Sequence, residues 1–155
     1  SHVPKVEPNP YSIPKASAGA AIAFIIDDAG HSEEKLKRYT SLAMPLTIAV
    51  LPDLEETEQC ASRVVKDGKE LILHQPMQAE NLSVNPGPGA ITPGMSLGEI
   101  KSVVRKNLEQ LGTGVKGLNN HEGSLITEDI IRVGTVLDVA VEKNIYFLVN
   151  NLTYK

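Results

Sequence analysis

The sequence lacks the features that mark several specialised protein classes. Its 155 residues include one cysteine and no tryptophan, and aromatic residues make up only 4% of the chain. The single cysteine, Cys60, excludes an internal disulfide. The 12 glycines and 10 prolines are ordinary counts, which exclude collagen-like and low-complexity chains. We therefore expect an ordinary globular domain, with Cys60 as a small packing residue of a helix.

Strong charge and long apolar runs are also missing. The formal net charge is −4, so the chain has no global electrostatic signature of a nucleic-acid or anionic-membrane partner. No apolar run approaches the roughly 20 residues of a membrane span. We predict no nucleic-acid partner and no membrane span within this chain. A chain of this length can bury roughly 70% of its unfolded surface, so one domain is expected.

The composition changes near residue 20. Residues 1–19 carry four prolines and no hydrophobic periodicity, which predicts a linker or tail in front of a domain over residues 20–155. We expect such a linker to tie the domain to an upstream element, for which a signal sequence or a membrane anchor is one candidate.

From residue 20, short apolar runs alternate with amphipathic stretches. This alternation predicts an α/β fold with a mostly parallel sheet and right-handed crossovers. A proline- and glycine-rich loop follows the third apolar run, and a loop of such length in a compact domain is usually functional. The predicted strands cover residues 21–26, 46–51, 71–73, 115–118 and 145–149, and the predicted helices are capped by Ser32, Asp53, Ser96 and Thr127.

Polar residues follow several of the predicted strands. Asp27 and Asp28 end the first strand, His74 ends the third, and His121 follows the fourth. The carboxyl ends of parallel strands form the usual ligand-binding edge. Two imidazoles and one carboxylate suit zinc and leave a position for water. The alternatives are a turn-forming Asp pair, a hydrogen-bonded core His74 and an exposed His31.

Five segments of the sequence match one known family in order. Together they cover residues 20–150 and resemble the divergent polysaccharide deacetylases of bacteria. The matching segments are Ile25–Gly30, Leu46–Pro52, Leu73–Met77, Pro86–Thr92 and Asn119–Ser124.

The resemblance implies part of a distorted (β/α) barrel, and an enzyme that removes acetyl groups from N-acetylated polysaccharide of the cell envelope. A divalent metal, most commonly zinc, would be held by Asp28, His74 and His121, with Asp27 as the base. We expect residues 78–95 to form a wall over this site, and we expect a periplasmic or extracellular location. The predicted substrate-binding residues are Asn119, Asn120, Pro88 and Gly89.

The sequence also departs from the family pattern. Val149 and Asn151 stand where the family has an aspartate and an arginine, and Glu122 stands where Met is common. The family continues to a Gly-His-Pro segment, so we expect a further C-terminal part or a partner chain to complete the fold. The alternative function is a catalytically weak or inactive homologue that acts as an envelope binding or scaffolding module. The lack of tryptophan disfavours a pure sugar-binding module, because such platforms stack sugars on aromatic rings.

Overall fold

The computed structural model describes Gly19 and residues 22–150 of the chain. Five parallel strands form one sheet in the order β1-β2-β3-β4-β5, and helices connect them. The predicted α/β fold with a parallel sheet is therefore confirmed. The strands are β1 (Ile25–Ala29), β2 (Thr47–Val50), β3 (Glu70–Met77), β4 (Val115–Glu122) and β5 (Tyr146–Leu148). The helices are α1 (Glu33–Thr40), α2 (Thr57–Lys66), α3 (Leu97–Leu111), α4 (Ser124–Thr127) and α5 (Ile130–Lys143).

The core lies between the sheet and the amphipathic faces of the helices. Helix α3 shows the pattern best: Ile100, Val104 and Leu108 are spaced three to four residues apart and are buried in the central cluster. This helix begins at the predicted capping box, in which the Ser96 hydroxyl accepts from the Glu99 backbone and the Glu99 carboxylate accepts from the Ser96 backbone. The buried apolar residues anchor the central strands in the core, and this anchoring sets the position of the polar residues at their carboxyl ends.

The first strand begins and ends later than predicted. Strand β1 covers Ile25–Ala29, so Asp27 and Asp28 lie within it rather than after it. Its pairing with β2 aligns Ile26 with Ile48 and Ala29 with Val50, and the register is irregular between these two pairs. Pairing with β2 therefore continues past the apolar run that predicted the strand.

Strands β3 and β4 are also longer than their apolar runs. They pair from Leu71 and Val115 as far as Met77 and Glu122. The prediction that His74 ends a strand was therefore wrong, because β3 continues to Met77 and buries His74 at 3% exposure. Polar residues at the carboxyl end of β4 belong to the sheet, which gives them fixed positions.

Two predicted helix caps were wrong. Helix α2 begins at Thr57 rather than next to Asp53, whose carboxylate instead pairs with Lys106. Thr127 ends the single-turn helix α4, and the cap of α5 is Asp129, whose carboxylate accepts from two backbone N–H groups. Both errors arise because a turn intervenes between the polar residue and the helix.

Among the described residues, no helix combines the length and the apolar character that crossing a bilayer requires. The predicted linker lies outside the described residues except for Gly19, as does Asn151.

Candidate metal centre

An irregularity in β1 brings two consecutive carboxylates to one cleft. In a regular strand, neighbouring side chains point to opposite faces of the sheet. Asp28 has a left-handed backbone with φ of 62°, which breaks this alternation where the β1–β2 register shifts. Asp27 and Asp28 consequently both line a cleft of about 380 Å³ at the carboxyl end of the sheet.

The register of β3 against β4 places the imidazoles. His74 is paired with Asn119, so their side chains lie on the same face of the sheet. His121 lies two residues beyond Asn119 and therefore shares that face. The two imidazole rings meet edge to face, with ring centroids 4.9 Å apart. The separate polar motifs of β3 and β4 thus form one cluster.

Three potential ligand atoms converge at this cluster. Asp28 Oδ1 lies 3.2 Å from His74 Nε2 and 3.0 Å from His121 Nδ1, and the two nitrogens are 3.1 Å apart. Asp28 is mostly exposed, His121 is partly buried and His74 is buried. The structure therefore brings together the three residues predicted to bind a metal.

The donor set and its geometry fit a divalent cation. With bonds of about 2.0–2.1 Å, the ligand atoms of a tetrahedral zinc site lie about 3.3–3.4 Å apart, close to the separations observed here. Burial lowers the pKa of His74, an effect that Asn119 and Asp27 partly offset, so the neutral ring that a metal requires is favoured. Asp28, His74 and His121 could hold such an ion with small adjustments.

Asp27 lies beside these three residues and has its own partners. Asn119 Nδ2 donates to Asp27 Oδ1 at 2.9 Å, and Asn119 Oδ1 lies 2.7 Å from His74 Nδ1. Both ends of the Asn119 amide are thus engaged, and its side chain is fully buried. Asn119 is therefore placed to orient Asp27 and His74, and its predicted role as a substrate contact stays a prediction.

Asn120 and Asn150 form a second pair of amides at the cleft. Asn120 Nδ2 donates to the Glu122 carbonyl at 2.7 Å, and Asn120 Oδ1 accepts from the Asn150 backbone at 2.8 Å. Asn120 lines the cleft but is almost fully buried, so it joins β4 to the chain after β5. Sequence reasoning missed Asn150. The only available signal was its place after the fifth apolar run.

A second cleft extends from the centre towards the proline-rich loop. It has a volume of about 420 Å³ and shares Asp28 and His121 with the first cleft. Residues 85–88 line it, together with His31 and Pro52, so this part of the loop lies beside the site as expected. Pro88 is therefore placed where a substrate could contact it.

Gly89 does not line this cleft. Its carbonyl accepts from Gln75 and Asn107, each at 2.9 Å, which ties the loop to β3 and α3. A Cβ at this position would lie 2.9 Å from the Asn107 side chain, and its φ is 70°. Gly89 is thus needed for close packing of the loop, and its predicted substrate contact stays a prediction.

Fold and site together define a parallel α/β protein with an Asp–His–His centre at the carboxyl end of its sheet. The model of the divergent polysaccharide deacetylase family matches residues 24–155. The chain belongs to this family.

Two curated relatives support the assignment. The chain is 30% identical over 128 residues to the uncharacterized protein YibQ of Escherichia coli K12, covering 82% of this chain and 39% of YibQ. It is 24% identical over 131 residues to an uncharacterized protein of Haemophilus influenzae, covering 84% of this chain and 46% of the relative. The chain thus spans less than half the length of these relatives.

Solved structures share the fold. Protein ATU2773 from Agrobacterium tumefaciens superposes with a TM-score of 0.72 at 18% identity, over 85% of this chain and 54% of that protein. A mutant of BA3943, a CE4 family pseudoenzyme with restored enzymatic activity, gives a TM-score of 0.53 at 15% identity, over 81% of this chain and 43% of that protein. At these identities the likeness concerns the fold alone.

Proposed function

We propose that this domain is a metal-dependent hydrolase that removes acetyl groups from N-acetylated polysaccharide of the bacterial cell envelope. One observation carries the proposal: two imidazole nitrogens and a carboxylate oxygen lie within 3.0–3.2 Å of one another, with a second carboxylate beside them in the same cleft. Membership of the family supplies the substrate class. The proposed metal is zinc, and the proposed location is the periplasm or the cell surface.

The roles of the residues follow from their positions. A divalent cation held by Asp28, His74 and His121 would acidify a water molecule and polarise the acetamide carbonyl. Asp27 is the proposed general base. Its Oδ1 accepts from Asn119 at 2.9 Å, whereas Oδ2 has a longer 3.5 Å contact with Asn150, so Oδ2 is the oxygen proposed to take the proton from water. Hydrogen bonding by Asn119 also fixes the orientation of this carboxylate.

The second cleft is the proposed path for the sugar chain. Its lining combines the segment 85–88 with Pro52, Leu54 and His31. Proline fixes the backbone, so the shape of this segment is largely preset before a substrate arrives. We assign Pro88 and its neighbours to substrate positioning.

A second candidate function has an observation in its favour. The neighbours of Asp27 are the neutral amides of Asn119 and Asn150, whereas the family pattern supplies an aspartate and an arginine after the fifth strand. These two amides orient the Asp27 carboxylate through hydrogen bonds and carry no charge themselves. A domain that binds metal and glycan but turns over slowly, and serves as an envelope binding module, would have this arrangement.

Metal content and acetate release distinguish the two candidates. The full chain is purified, loaded with zinc and assayed for acetate released from an N-acetylated oligosaccharide. Metal binding with turnover supports the hydrolase, metal binding without turnover supports the binding module, and the absence of metal binding contradicts both.

A matched pair of variants makes this experiment specific. Asp28→Asn removes a proposed ligand, and Asp53→Asn changes another carboxylate on a left-handed backbone that is paired with Lys106 away from the cluster. Only Asp28→Asn should abolish zinc binding and acetate release. Equal losses in both variants would contradict the assignment of Asp28.

A further inference from the structure

We propose that Asp27 and Asn119 together fix the tautomer of His74. Its proton lies on Nδ1, and its Nε2 lone pair is directed at the Asp28–His74–His121 cluster. Asn119 is then a positioning residue. The part of this inference that concerns metal affinity rests on the proposed function, whereas the part that concerns the tautomer does not.

The first step is the orientation of the Asn119 amide. An ionised carboxylate only accepts hydrogen bonds. The Asn119 side-chain atom that lies 2.9 Å from Asp27 Oδ1 must therefore be the NH₂ nitrogen. Asp27 thus determines the orientation of the Asn119 amide, although the two residues are 92 positions apart in sequence.

The second step passes this orientation to His74. With its nitrogen turned to Asp27, Asn119 presents its carbonyl oxygen to His74 Nδ1 at 2.7 Å. A carbonyl oxygen only accepts, so Nδ1 must carry the hydrogen. Asn119 is fully buried and His74 is 3% exposed, which leaves little room for water to replace this hydrogen bond.

The third step concerns the opposite side of the ring. A neutral imidazole has one N–H, so a proton on Nδ1 leaves Nε2 with its lone pair. That lone pair faces Asp28 Oδ1 at 3.2 Å and His121 Nδ1 at 3.1 Å. The Nε2 atom of His74 therefore has a free lone pair before any cation binds. Hydrogen-bond partners of metal-binding histidines commonly fix the tautomer in this way.

The tautomer itself is measured on cation-free protein. Long-range ¹H–¹⁵N NMR at pH 8 should show His74 protonated on Nδ1 in the wild type. Asn119→Leu removes the acceptor, so the ring should populate both tautomers. Asn119→Asp keeps an acceptor towards Nδ1, and its second oxygen should carry a proton towards Asp27 because two ionised carboxylates this close repel, so it should retain the wild-type tautomer. A wild-type ring protonated on Nε2, or an unchanged ring in Asn119→Leu, would overturn the inference.

Zinc affinity gives the second readout, by competition with a chelator. Asn119→Leu should bind zinc about 10–100-fold more weakly than the wild type, as is typical when the partner of a ligating histidine is lost. Asn119→Asp should lie closer to the wild type. Equal affinity of the wild type and Asn119→Leu would contradict the positioning role.

Asn107→Leu is the matched control. Asn107 is also almost fully buried, but its amide nitrogen donates to Gln75 and Gly89, and neither partner is part of the Asp27–Asn119–His74 link. The Asn107→Leu variant should be less stable than the wild type, and its His74 tautomer should be unchanged.

If Asn119→Leu does not fold, Asn119→Ala takes its place in both measurements. If wild-type protein binds no zinc, the proposed function fails, while the NMR result still decides the tautomer.

Discussion

Two polar clusters lie at opposite ends of the same sheet. They differ in whether each hydrogen-bond acceptor has a donor to pair with. In the amino-end cluster, Thr47 and Tyr146 each donate a hydroxyl hydrogen bond to Glu70, at 2.9 and 2.6 Å. In the carboxyl-end cluster, made of Asp28, His74 and His121, a carboxylate oxygen and two imidazole nitrogens meet.

The difference separates a structural network from a binding site. Each donor of the amino-end cluster has an acceptor, so the network needs nothing further. In the carboxyl-end cluster, His74 Nε2 and Asp28 Oδ1 both offer lone pairs, and only His121 Nδ1 can place a hydrogen between them. Such a mismatch is relieved by a cation, which is why we assign function to this end of the sheet.

The largest expected effect comes from Asp28→Asn. We expect zinc affinity to fall by more than about 100-fold, beyond the loss typical for an indirect partner. The cation-free protein should not lose stability, because an amide can donate to His74 Nε2 and asparagine tolerates a left-handed backbone. Zinc competition and thermal unfolding measure the two effects. A marked loss of stability would show that Asp28 is structural.

Gly117→Ala should break the amino-end cluster. A Cβ on Gly117 would lie 2.5 Å from the Tyr146 ring, which crosses β4 at this point on its way to Glu70. We expect a loss of about 1–3 kcal/mol in unfolding free energy, as for other overpacked sites. Zinc affinity of the folded protein should stay unchanged. Denaturant unfolding measures the free energy of unfolding, and zinc competition measures the affinity. A loss of zinc affinity together with the loss of stability would mean that the two ends of the sheet are not independent.

Tyr146→Phe should lower the free energy of unfolding by a smaller amount, about 1 kcal/mol for one lost hydrogen bond. It should also change the pH dependence of stability. Burial raises the pKa of Tyr146, and the Glu70 carboxylate raises it further. The unfolded chain releases the phenol proton near pH 10 while the folded chain keeps it, so wild-type stability should fall as pH rises above about 10. Unfolding followed from pH 8 to 11 should show a flatter decline in Tyr146→Phe. Identical declines would remove Tyr146 as the cause.

Local sequence signals were enough for the order of the five strands and the four longer helices, but they missed the single-turn helix α4. Apolar runs located β2 and the amino-terminal parts of β3 and β4, and the Ser96 capping box located the start of α3. The carboxyl ends of β3 and β4 were not predictable in this way, because polar residues such as Gln75 and Asn120 continue the sheet through pairing with each other. Strand pairing of this kind depends on the neighbouring strand and leaves no periodic pattern.

The identity of the site residues was predictable, but their connections were not. Strand-end positions and the family motifs indicated Asp27, Asp28, His74 and His121, and the structure brings the last three together. The link from Asp27 through Asn119 to His74 joins three strands. Asn119 was predicted as a substrate contact because the sequence gives no sign of the partners that its amide meets on β1 and β3. Register decides those partners, and register is set by the whole sheet.

Asn150→Ala should have the smallest effect, and it sharpens the contrast between close and distant partners within the carboxyl end. Asn150 Nδ2 lies 3.5 Å from Asp27 Oδ2, at the outer limit for a hydrogen bond, whereas Asn119 Nδ2 lies 2.9 Å from Oδ1. The link from Asn150 to Asn120 Oδ1 uses the Asn150 backbone, which the substitution retains. We therefore expect zinc affinity to change by less than about threefold, since a weak contact contributes well under 1 kcal/mol. The measurement is the zinc competition used for Asn119→Leu. A loss as large as that of Asn119→Leu would mean that Asp27 is held from both sides.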